Sequence, residues 1–337
     1  MKFSCQFVFL LLLINLNAVA QHTFSIAAVD SLTNEIGSAG ATCLGSEDGA
    51  LYVSDIVLNV GSINTQAWWT IVNQNAAGER IEEGLSPQEI IDWLSNNDNS
   101  AEGGNISDRQ YGIVDLNNGS PRSAAFTGVN NFDVKGQRLG ANYSIQGNVL
   151  ISEDVLDDME SAFLNTDGTL ADKLMATLQA AKRPGADVRC LDLGLSSASA
   201  YVRVAKPTDT SSDYGNLWLD LNVWLDSGEF TGDPIDELQR KFDAFTQSVS
   251  ISESLQNEAS IYPNPTNGKV TIVVGETPIV RVDVYDLLGN LMDSKTMKDG
   301  ETEHIINLQD LVNGQYILNV QYAGSNKVSY IMVSKLD

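Results

Sequence analysis

The chain has 337 residues, of which 43% are hydrophobic, so it can bury at least one complete core and is not intrinsically disordered. Its 44 acidic residues outnumber its 20 basic ones, which gives a formal net charge of -24. This balance disfavours binding to nucleic acids or anionic membranes, because neutralising phosphate requires clusters of Lys and Arg. We interpret the acidity as a well-solvated, self-repelling surface rather than as a sign of a cationic substrate.

Residues 1–20 have the three-part pattern of a secretory signal peptide. Lys2 precedes an apolar run from Phe7 to Ile14, and the small residues Ala18-Val19-Ala20 form the cleavage site. Cleavage there exposes Gln21. The alternative is an uncleaved anchor, but the run is shorter than the ~20 apolar residues that a spanning helix needs. We therefore expect export through the periplasm and no transmembrane span in the mature chain.

Cysteine usage is compatible with an oxidising compartment. Cys5 leaves with the signal peptide, which leaves Cys43 and Cys190. Either these two form a disulfide, or they are two separately buried thiols that behave as small apolar residues. Spacing alone does not decide between the two.

Residues 21–245 predict one α+β domain. The runs TFSIAAVD and EIGSAGATCLG flank the turn SLTN and predict a hairpin, and WWTIVNQNAAGERIEEG and the segment opening at Ser86-Pro87 predict two helices. Strands follow in YGIVDL, RSAAFTG and YSIQGNVLI, then two helices, two more strands, and a helix from about Pro234 to Phe245. Many strands flanked by paired helices indicate two sheets packed between helical layers.

The composition changes after Phe245. Residues 246–258, TQSVSISESLQNE, are polar and rich in serine, and we interpret them as a linker. Residues 259–337 contain short alternating strands separated by Asn-Gly and Gly-Asn turns, which is typical of a small β-sandwich.

This C-terminal segment resembles a known export signal. The motifs YPNPTNG, VYDLLGN, LVNGQYILNV and a terminal VSK occur in the order found in the C-terminal sorting domain of the type IX secretion system. The resemblance implies that the secretion machinery of a Bacteroidetes-type bacterium is a partner and that the protein is secreted or held at the outer cell surface. An adhesive or carbohydrate-binding sandwich is the alternative, because fold alone does not determine function.

The central domain lacks the residues of most familiar hydrolases. The two histidines, His22 and His304, lie beside the cleavage site and in the sorting segment, so a Ser-His-Asp triad or a His-based zinc site is not expected in between. We expect no metal site and no cofactor, because neither thiolate clusters nor nucleotide-binding motifs occur. A histidine-free solution is an N-terminal Thr whose own α-amino group is the base, and Thr23 starts the first predicted strand.

The segment from Thr23 to Phe245 resembles the domain of unknown function family numbered 1028, which is similar to N-terminal nucleophile (Ntn) hydrolases. The matching segments include TFSIAAVD, GSINTQA, EGLSPQEIIDWL, RQYGIVD, YSIQGNVL and DPIDELQRKFD. The resemblance implies a four-layer αββα sandwich and, by analogy only, hydrolysis of an amide or peptide. Thr23 takes the position of the threonine that follows Met in other members. Here Gln21 and His22 precede it, so a second cut must free its amine.

Other polar residues in the matching segments are candidates for the site. Asn64 and Gln66 precede a predicted helix and either stabilise an oxyanion or cap that helix. Asp30 either orients a base or caps a turn. A second set is predicted to bind a small-molecule or peptide substrate, or else to form hydrogen-bonded sheet ends: Arg109, Gln110, Gln146 and Asn148.

One further group of residues has a structural interpretation in the sequence. Asp187, Arg189 and Asp192 flank Cys190, and we interpret them as an ion-pair network. The sequence thus supports two functions, an amidohydrolase that uses Thr23 or a non-catalytic secreted or cell-surface binding protein on the same fold.

Overall fold

The computed structural model of the protein describes residues 23–101, 103–256, 259–274, 278–287, 289–297, 303–323 and 328–336. The predicted signal peptide, residues 1–20, lies outside the described residues. The chain divides into two compact units, with the boundary between Phe242 and Asp243.

The N-terminal unit mixes helices and strands, as the α+β prediction requires. Its strands are β1 (Thr23–Asp30), β2 (Glu35–Thr42), β3 (Ser54–Val57), β4 (Gly61–Ala67), β5 (Arg109–Asn117), β6 (Ser120–Thr127), β7 (Gly136–Gly140), β8 (Tyr143–Gly147), β9 (Ser199–Ala205) and β10 (Leu219–Trp224). Its helices are α1 (Asp48–Leu51), α2 (Ile71–Glu82), α3 (Pro87–Asn96), α4 (Asp154–Asn165), α5 (Leu170–Ala181) and α6 (Pro234–Gln256), which continues past the boundary.

The strands form two antiparallel sheets. The six-stranded sheet has the order β10-β9-β2-β1-β8-β7 and the four-stranded sheet the order β3-β4-β5-β6. Strands β1 and β8 contact β4 and β5, so the two sheets pack face to face. Helices α2 and α3 pack on the four-stranded sheet, and α4 and α5 on the six-stranded one. Strand β1 therefore lies in the middle of its sheet with both faces covered.

The predicted hairpin of β1 and β2 is confirmed. Thr23 pairs with Thr42 at one end and Asp30 with Glu35 at the other. The Asp30 carboxylate accepts a hydrogen bond from the Leu32 amide at 2.8 Å, and Asn34 has a φ of 55°, so the turn uses an Asx cap and a left-handed Asn.

The structure differs from the sequence prediction in three places. Asn64 and Gln66 do not lie at the start of a helix but within β4. Helix α2 begins only at Ile71, with Thr70 as its N-cap. Strand β7 was not predicted, since GQRLG has neither apolar alternation nor β-branched residues. Helix α6 runs to Gln256, so residues 246–256 of the predicted linker are helical.

The C-terminal unit contains two antiparallel sheets. One contains β11 (Ala259–Tyr262), β12 (Lys269–Val274) and β15 (Glu303–Asn307), and the other β13 (Ile279–Asp286), β14 (Leu291–Thr296), β16 (Gly314–Tyr322) and β17 (Val328–Lys335). A buried apolar core includes Val270, Val282 and Leu318. The Asn264 side chain bonds the backbone of Met332 and Ser334, each at 2.9 Å, and so ties the start of the unit to its last strand.

None of the described helices combines the length and the apolar character required to cross a bilayer.

Candidate functional site

The space between the two sheets of the N-terminal unit contains a network of uncharged polar side chains. Ser25 donates to Gln66 Oε1 at 2.7 Å, Gln146 Nε2 donates to Ser25 at 2.6 Å, and Ser38 donates to Asn64 Oδ1 at 2.7 Å. The members are completely buried and come from β1, β2, β4, β5, β8 and the residue after β8: Thr23, Ser25, Ser38, Asn64, Gln66, Gln110, Ser144, Gln146 and Asn148. Because a sheet interface is usually apolar, this concentration of amides and hydroxyls is the most unusual feature of the fold.

Thr23 lies at the end of this network. Its carbonyl accepts hydrogen bonds from Gln66 Nε2 at 3.0 Å and from the Asn148 amide at 3.1 Å. Gln110 Oε1 accepts from Gln66 Nε2 at 2.6 Å and from Asn148 Nδ2 at 2.8 Å, which joins these side chains into one cluster. The structure thus brings together Thr23 with the sequence-predicted residues Gln66, Gln110 and Asn148.

Backbone strain is concentrated beside the same cluster. Ala67 has a φ of 67° and Val149 a φ of 55°, and each directly follows a residue that bonds the Thr23 carbonyl, Gln66 and Asn148 respectively. A β-branched residue such as Val149 is a clear outlier in the left-handed region, at a cost of order 1–3 kcal/mol. Such strain is found preferentially at functional sites, which makes the Thr23 end of the network the candidate site.

Gly112 on β5 sets how closely the two sheets approach. A Cβ at this position would meet the side-chain oxygen of Gln146, and it would lie 2.7 Å from Ser144 Oγ. The missing side chain leaves room for Gln146 between the sheets. Only glycine fits at position 112, because any side chain there would clash with the opposing sheet.

Asn64 precedes Gln66 on β4 and lies farther from Thr23. Its Oδ1 accepts from Ser38, and the Ser38 hydroxyl also shares a hydrogen bond with the Tyr201 hydroxyl at 2.7 Å. Among the described residues, Asn64 Nδ2 has no hydrogen-bond partner although it is buried. A buried amide donor of this kind can receive an acceptor atom from a ligand or water.

The network offers almost no ionisable group. Tyr201 borders the network through its hydrogen bond to Ser38. Burial raises the pKa of Tyr201 above its ordinary value, while the Ser38 hydrogen bond and the charge of Arg203 lower it by less. The other side chains of the network are hydroxyls and amides. In the part of the chain that the structure describes, no cluster of three or more His, Cys, Asp or Glu side chains could hold a metal ion.

Two sequence-predicted residues lie away from the cluster. Arg109 is completely buried on the opposite face of β5, where it pairs with Asp98 at 2.9 Å and donates to the carbonyl oxygens of Asn99 at 2.8 Å and Gly103 at 3.1 Å. Asp30 is at the far end of β1, about 23 Å from Thr23 at the usual rise per strand residue.

A turn that sequence reasoning treated as structural borders the candidate site. The structure joins Cys43 and Cys190 in a disulfide with a Cα–Cα distance of 5.7 Å. Beside it, Arg189 pairs with the fully buried Asp187 and donates to Thr42 Oγ1 at 3.1 Å. Thr42 is the cross-strand partner of Thr23. The predicted hairpin together with a bond from Cys43 to Cys190, one of the two alternatives left open for these cysteines, was the sequence signal that could have placed Arg189 near the site.

A separate groove of about 770 Å³ lies along β3, between α2 and residues 210–213. It is lined by carboxylates, including Asp55, Glu79, Glu82 and Asp213. Burial raises the pKa of Asp55, with Glu82 adding to the effect and Arg203 opposing it. The groove borders residues 55–60, whereas Gln66 at the opposite end of β4 contacts Thr23, so groove and candidate site are distinct.

The fold and the buried polar site define an α+β domain with a site between two sheets, joined to a separate β-sandwich. The chain belongs to the family of unknown function DUF1028, whose sequence profile matches residues 23–238. The secretion system C-terminal sorting domain matches residues 260–334. Both resemblances predicted from sequence motifs are thereby confirmed, and the sorting domain indicates type IX secretion and a secreted or cell-surface location.

A crystal structure of a DUF1028 protein from Silicibacter pomeroyi is similar to this chain, with a TM-score of 0.52 and 27% sequence identity. The match covers 67% of this chain and 89% of the other. Among curated proteins, no sequence matches this chain.

Proposed function

We propose that this protein is an exported Ntn-hydrolase-like amidohydrolase in which Thr23, once it is the first residue of the chain, is the nucleophile. We also propose that the N-terminal unit is a four-layer αββα sandwich of the Ntn type. The packing of α2 and α3 on one sheet and of α4 and α5 on the other supports this architecture.

One observation carries the proposal: Thr23 begins a central strand at the end of a buried polar network whose side chains include no carboxylate, imidazole or amine. A hydroxyl nucleophile needs a base, and the α-amino group of Thr23 is the one ionisable group that such a site would gain by processing. Its ordinary pKa, near 8, suits proton transfer at neutral pH.

The chemistry follows from these groups. The α-amine accepts the proton of the Thr23 hydroxyl while Oγ forms a bond to the carbonyl carbon of an amide substrate. Collapse of the tetrahedral intermediate breaks the C–N bond, and the α-ammonium returns the proton to the leaving amine. Water then hydrolyses the ester by the reverse proton transfers. Asn64 bonds Ser38, four strand residues or about 13 Å from Thr42, the partner of Thr23, and so lies too far away to act on that substrate carbonyl. The side-chain amides of Gln66 and Asn148 lie beside Thr23 and are the candidates for stabilising the oxyanion, each exchanging a present hydrogen bond for one to the substrate.

Processing is a separate requirement of the proposal. Cleavage after Ala20 leaves Gln21 and His22 in front of Thr23, so its amine stays in a peptide bond until these two residues are removed. Signal-peptide removal, the second cut and release of the sorting domain are all part of the proposed maturation.

The first experiment determines the mature ends of the protein and then assays a chain that starts at Thr23. We expect the secreted form to begin at Thr23 and to hydrolyse amides from a substrate panel. Thr23→Ala should lower the rate by roughly three orders of magnitude or more, while Thr23→Ser, which keeps a hydroxyl, should retain part of it. A secreted chain beginning at Gln21, with no turnover by the Thr23-first chain, would contradict the proposal.

The groove along β3 favours a second candidate function, a non-catalytic binding protein on the same fold. Its wall of carboxylates, beside the apolar residues Ile56, Val57 and Leu58, forms a concave surface suited to a ligand. A ligand screen by thermal shift with the chain that starts at Gln21 tests this function. Binding that is unchanged by Thr23→Ala but lost in Asp55→Asn would support it.

A further inference from the structure

Residues 187–190 cross the Thr23 end of the six-stranded sheet. On one side, the Cys43 amide donates to Asp187 Oδ2 at 2.9 Å, and the disulfide to Cys190 adds a covalent link. On the other side, the Val188 amide donates to the Val149 carbonyl at 2.9 Å, directly after Asn148. Since β2 and β8 are the two neighbours of β1, this turn bridges them over the end of the strand that begins at Thr23.

The turn brings one ion pair to that end. Arg189 Nε donates to Asp187 Oδ1 at 3.0 Å and Nη2 donates to Oδ2 at 2.6 Å, so the pair is bidentate. Nη2 also donates to Thr42 Oγ1 at 3.1 Å. Directly opposed residues of antiparallel strands have Cβ atoms about 4.5–5.5 Å apart, so the guanidinium lies close to Thr23.

The other elements around Thr23 contribute neutral side chains. Thr42 of β2 lies opposite Thr23, and Gln66 of β4 donates to the Thr23 carbonyl. Asn148, after β8, donates to the same carbonyl through its backbone amide, and Gln110 of β5 bonds the Gln66 and Asn148 side chains. Of the charged residues near this face, Arg109 points to the opposite side of β5, where it pairs with Asp98. Arg203 acts on Tyr201 at the Ser38 end of the network, whereas the Asp187–Arg189 pair is bonded to Thr42, the residue directly opposite Thr23.

We propose that Asp187 and Arg189 are a positioning pair that sets the charge beside the Thr23 amine and so determines how much of it is free base at neutral pH. This inference rests on the proposed function in one respect, the freed amine of Thr23. The Arg189 cation disfavours the ammonium form, whereas the Asp187 carboxylate favours it. The two charges nearly cancel when paired, and removing either one leaves the other unopposed.

The two single variants should therefore move the amine in opposite directions. Arg189→Met leaves the Asp187 carboxylate uncompensated and should raise the α-amine pKa by roughly one unit, and Asp187→Asn should lower it by a similar amount. Arg189→Lys keeps the charge and should stay near the wild-type value. A purely structural ion pair would give no opposite shifts, because loss of either partner would only loosen the same turn.

The experiment uses the chain from Thr23 to Asp337 and measures the rate at which an amine-reactive acylating reagent modifies the N-terminus as a function of pH, read by mass spectrometry. Arg183→Met is the matched control, because Arg183 pairs with Asp158 at 2.6 Å and has the same 28% side-chain exposure as Arg189. Thermal unfolding of each variant confirms that it is folded, and Arg189→Met against Arg189→Lys suffices if Asp187→Asn does not fold.

Opposite shifts for Arg189→Met and Asp187→Asn support the inference. Equal values in the Met and Lys variants of Arg189, or shifts no larger than in the Arg183 control, overturn it. Acylation needs no turnover, so the outcome is separate from that of the proposed function. A chain that shows the expected shifts but hydrolyses no amide would contradict the hydrolase proposal alone.

Discussion

Arg109 places a completely buried guanidinium at the start of strand β5. A guanidinium beside a predicted strand start suggested a substrate carboxylate, but the side chain is completely buried and is bound to Asp98 and to carbonyl oxygens of residues 99 and 103. A sequence does not reveal which face of a strand meets a loop carboxylate. The adjacent residue Gln110, on the other face of β5, lies in the Thr23 cluster instead.

We expect Arg109→Met to lower the free energy of unfolding by about 3–5 kcal/mol, because it leaves a nearly buried carboxylate and several carbonyl oxygens without their partner. Chemical denaturation measures the loss. The control is Arg240→Met, which removes an ion pair to Glu237 from an arginine side chain that is 67% exposed. Because water screens an exposed pair, this variant should lose much less stability than Arg109→Met. Similar losses in the two variants would contradict the buried role of Arg109.

At the scale of secondary structure, helix α3 was predictable because its start is encoded locally. Ser86 accepts from the Glu89 amide at 3.4 Å, and the Glu89 carboxylate accepts from the Ser86 amide at 2.8 Å, which is the reciprocal capping box expected from Ser-Pro-Gln-Glu. The Ser86 hydroxyl also donates to the Glu89 carboxylate at 2.7 Å, and this bond, with that from the Ser86 amide, lowers the pKa of Glu89. Pro87 occupies the first helical position, where its missing N–H costs nothing.

Removing this cap should be measurable in the intact chain. Ser86→Ala should destabilise the N-terminal unit by about 1 kcal/mol, because the first turn loses a hydrogen-bond acceptor. Ser95→Ala in the same helix is the matched control, since Ser95 only donates back to the Ile91 carbonyl. It should change stability by less than about 0.5 kcal/mol, and a larger effect than that of Ser86→Ala in urea titrations would refute the capping argument.

Strand β4 shows why the candidate site was only partly predictable. Ile63 faces α2 and α3, and Asn64 and Gln66 occupy the other face, an alternation typical of a strand with one wet face. The polar face of β4 is in fact covered by the six-stranded sheet. The hydrogen bonds of Gln66 to β1 join residues about 40 positions apart in the sequence. Local pattern gives the strand, but only the tertiary packing shows that its polar face is an interior site.

At the scale of the whole molecule, the order of the parts was readable from the sequence because each part has its own local signature. The profile matches to residues 23–238 and 260–334 agree with the motifs that suggested them. The disulfide was left open, since Cys43 and Cys190 are 147 positions apart and no local pattern brings them together. Their meeting depends on the six-stranded sheet and the turn at 187–190.

The disulfide should contribute strongly to stability. Replacing both cysteines, Cys43→Ala with Cys190→Ala, should lower the free energy of unfolding by about 2–5 kcal/mol, because a long closed loop restricts the unfolded chain. Denaturation under non-reducing conditions gives the difference, and the wild-type protein with reductant is the control that should approach the double variant. An unchanged midpoint in both would show that the bond is not formed in solution.

The position of the third cysteine has a consequence for oxidative folding. The full chain with Cys5 allows three intramolecular pairings, whereas the proposed mature chain, without residues 1–20, keeps Cys43 and Cys190 alone. Oxidation of the shortened chain then has a single intramolecular product, and a wrongly paired isomer within one molecule cannot form. Loss of the leader would thus free the exported protein from any need for disulfide shuffling.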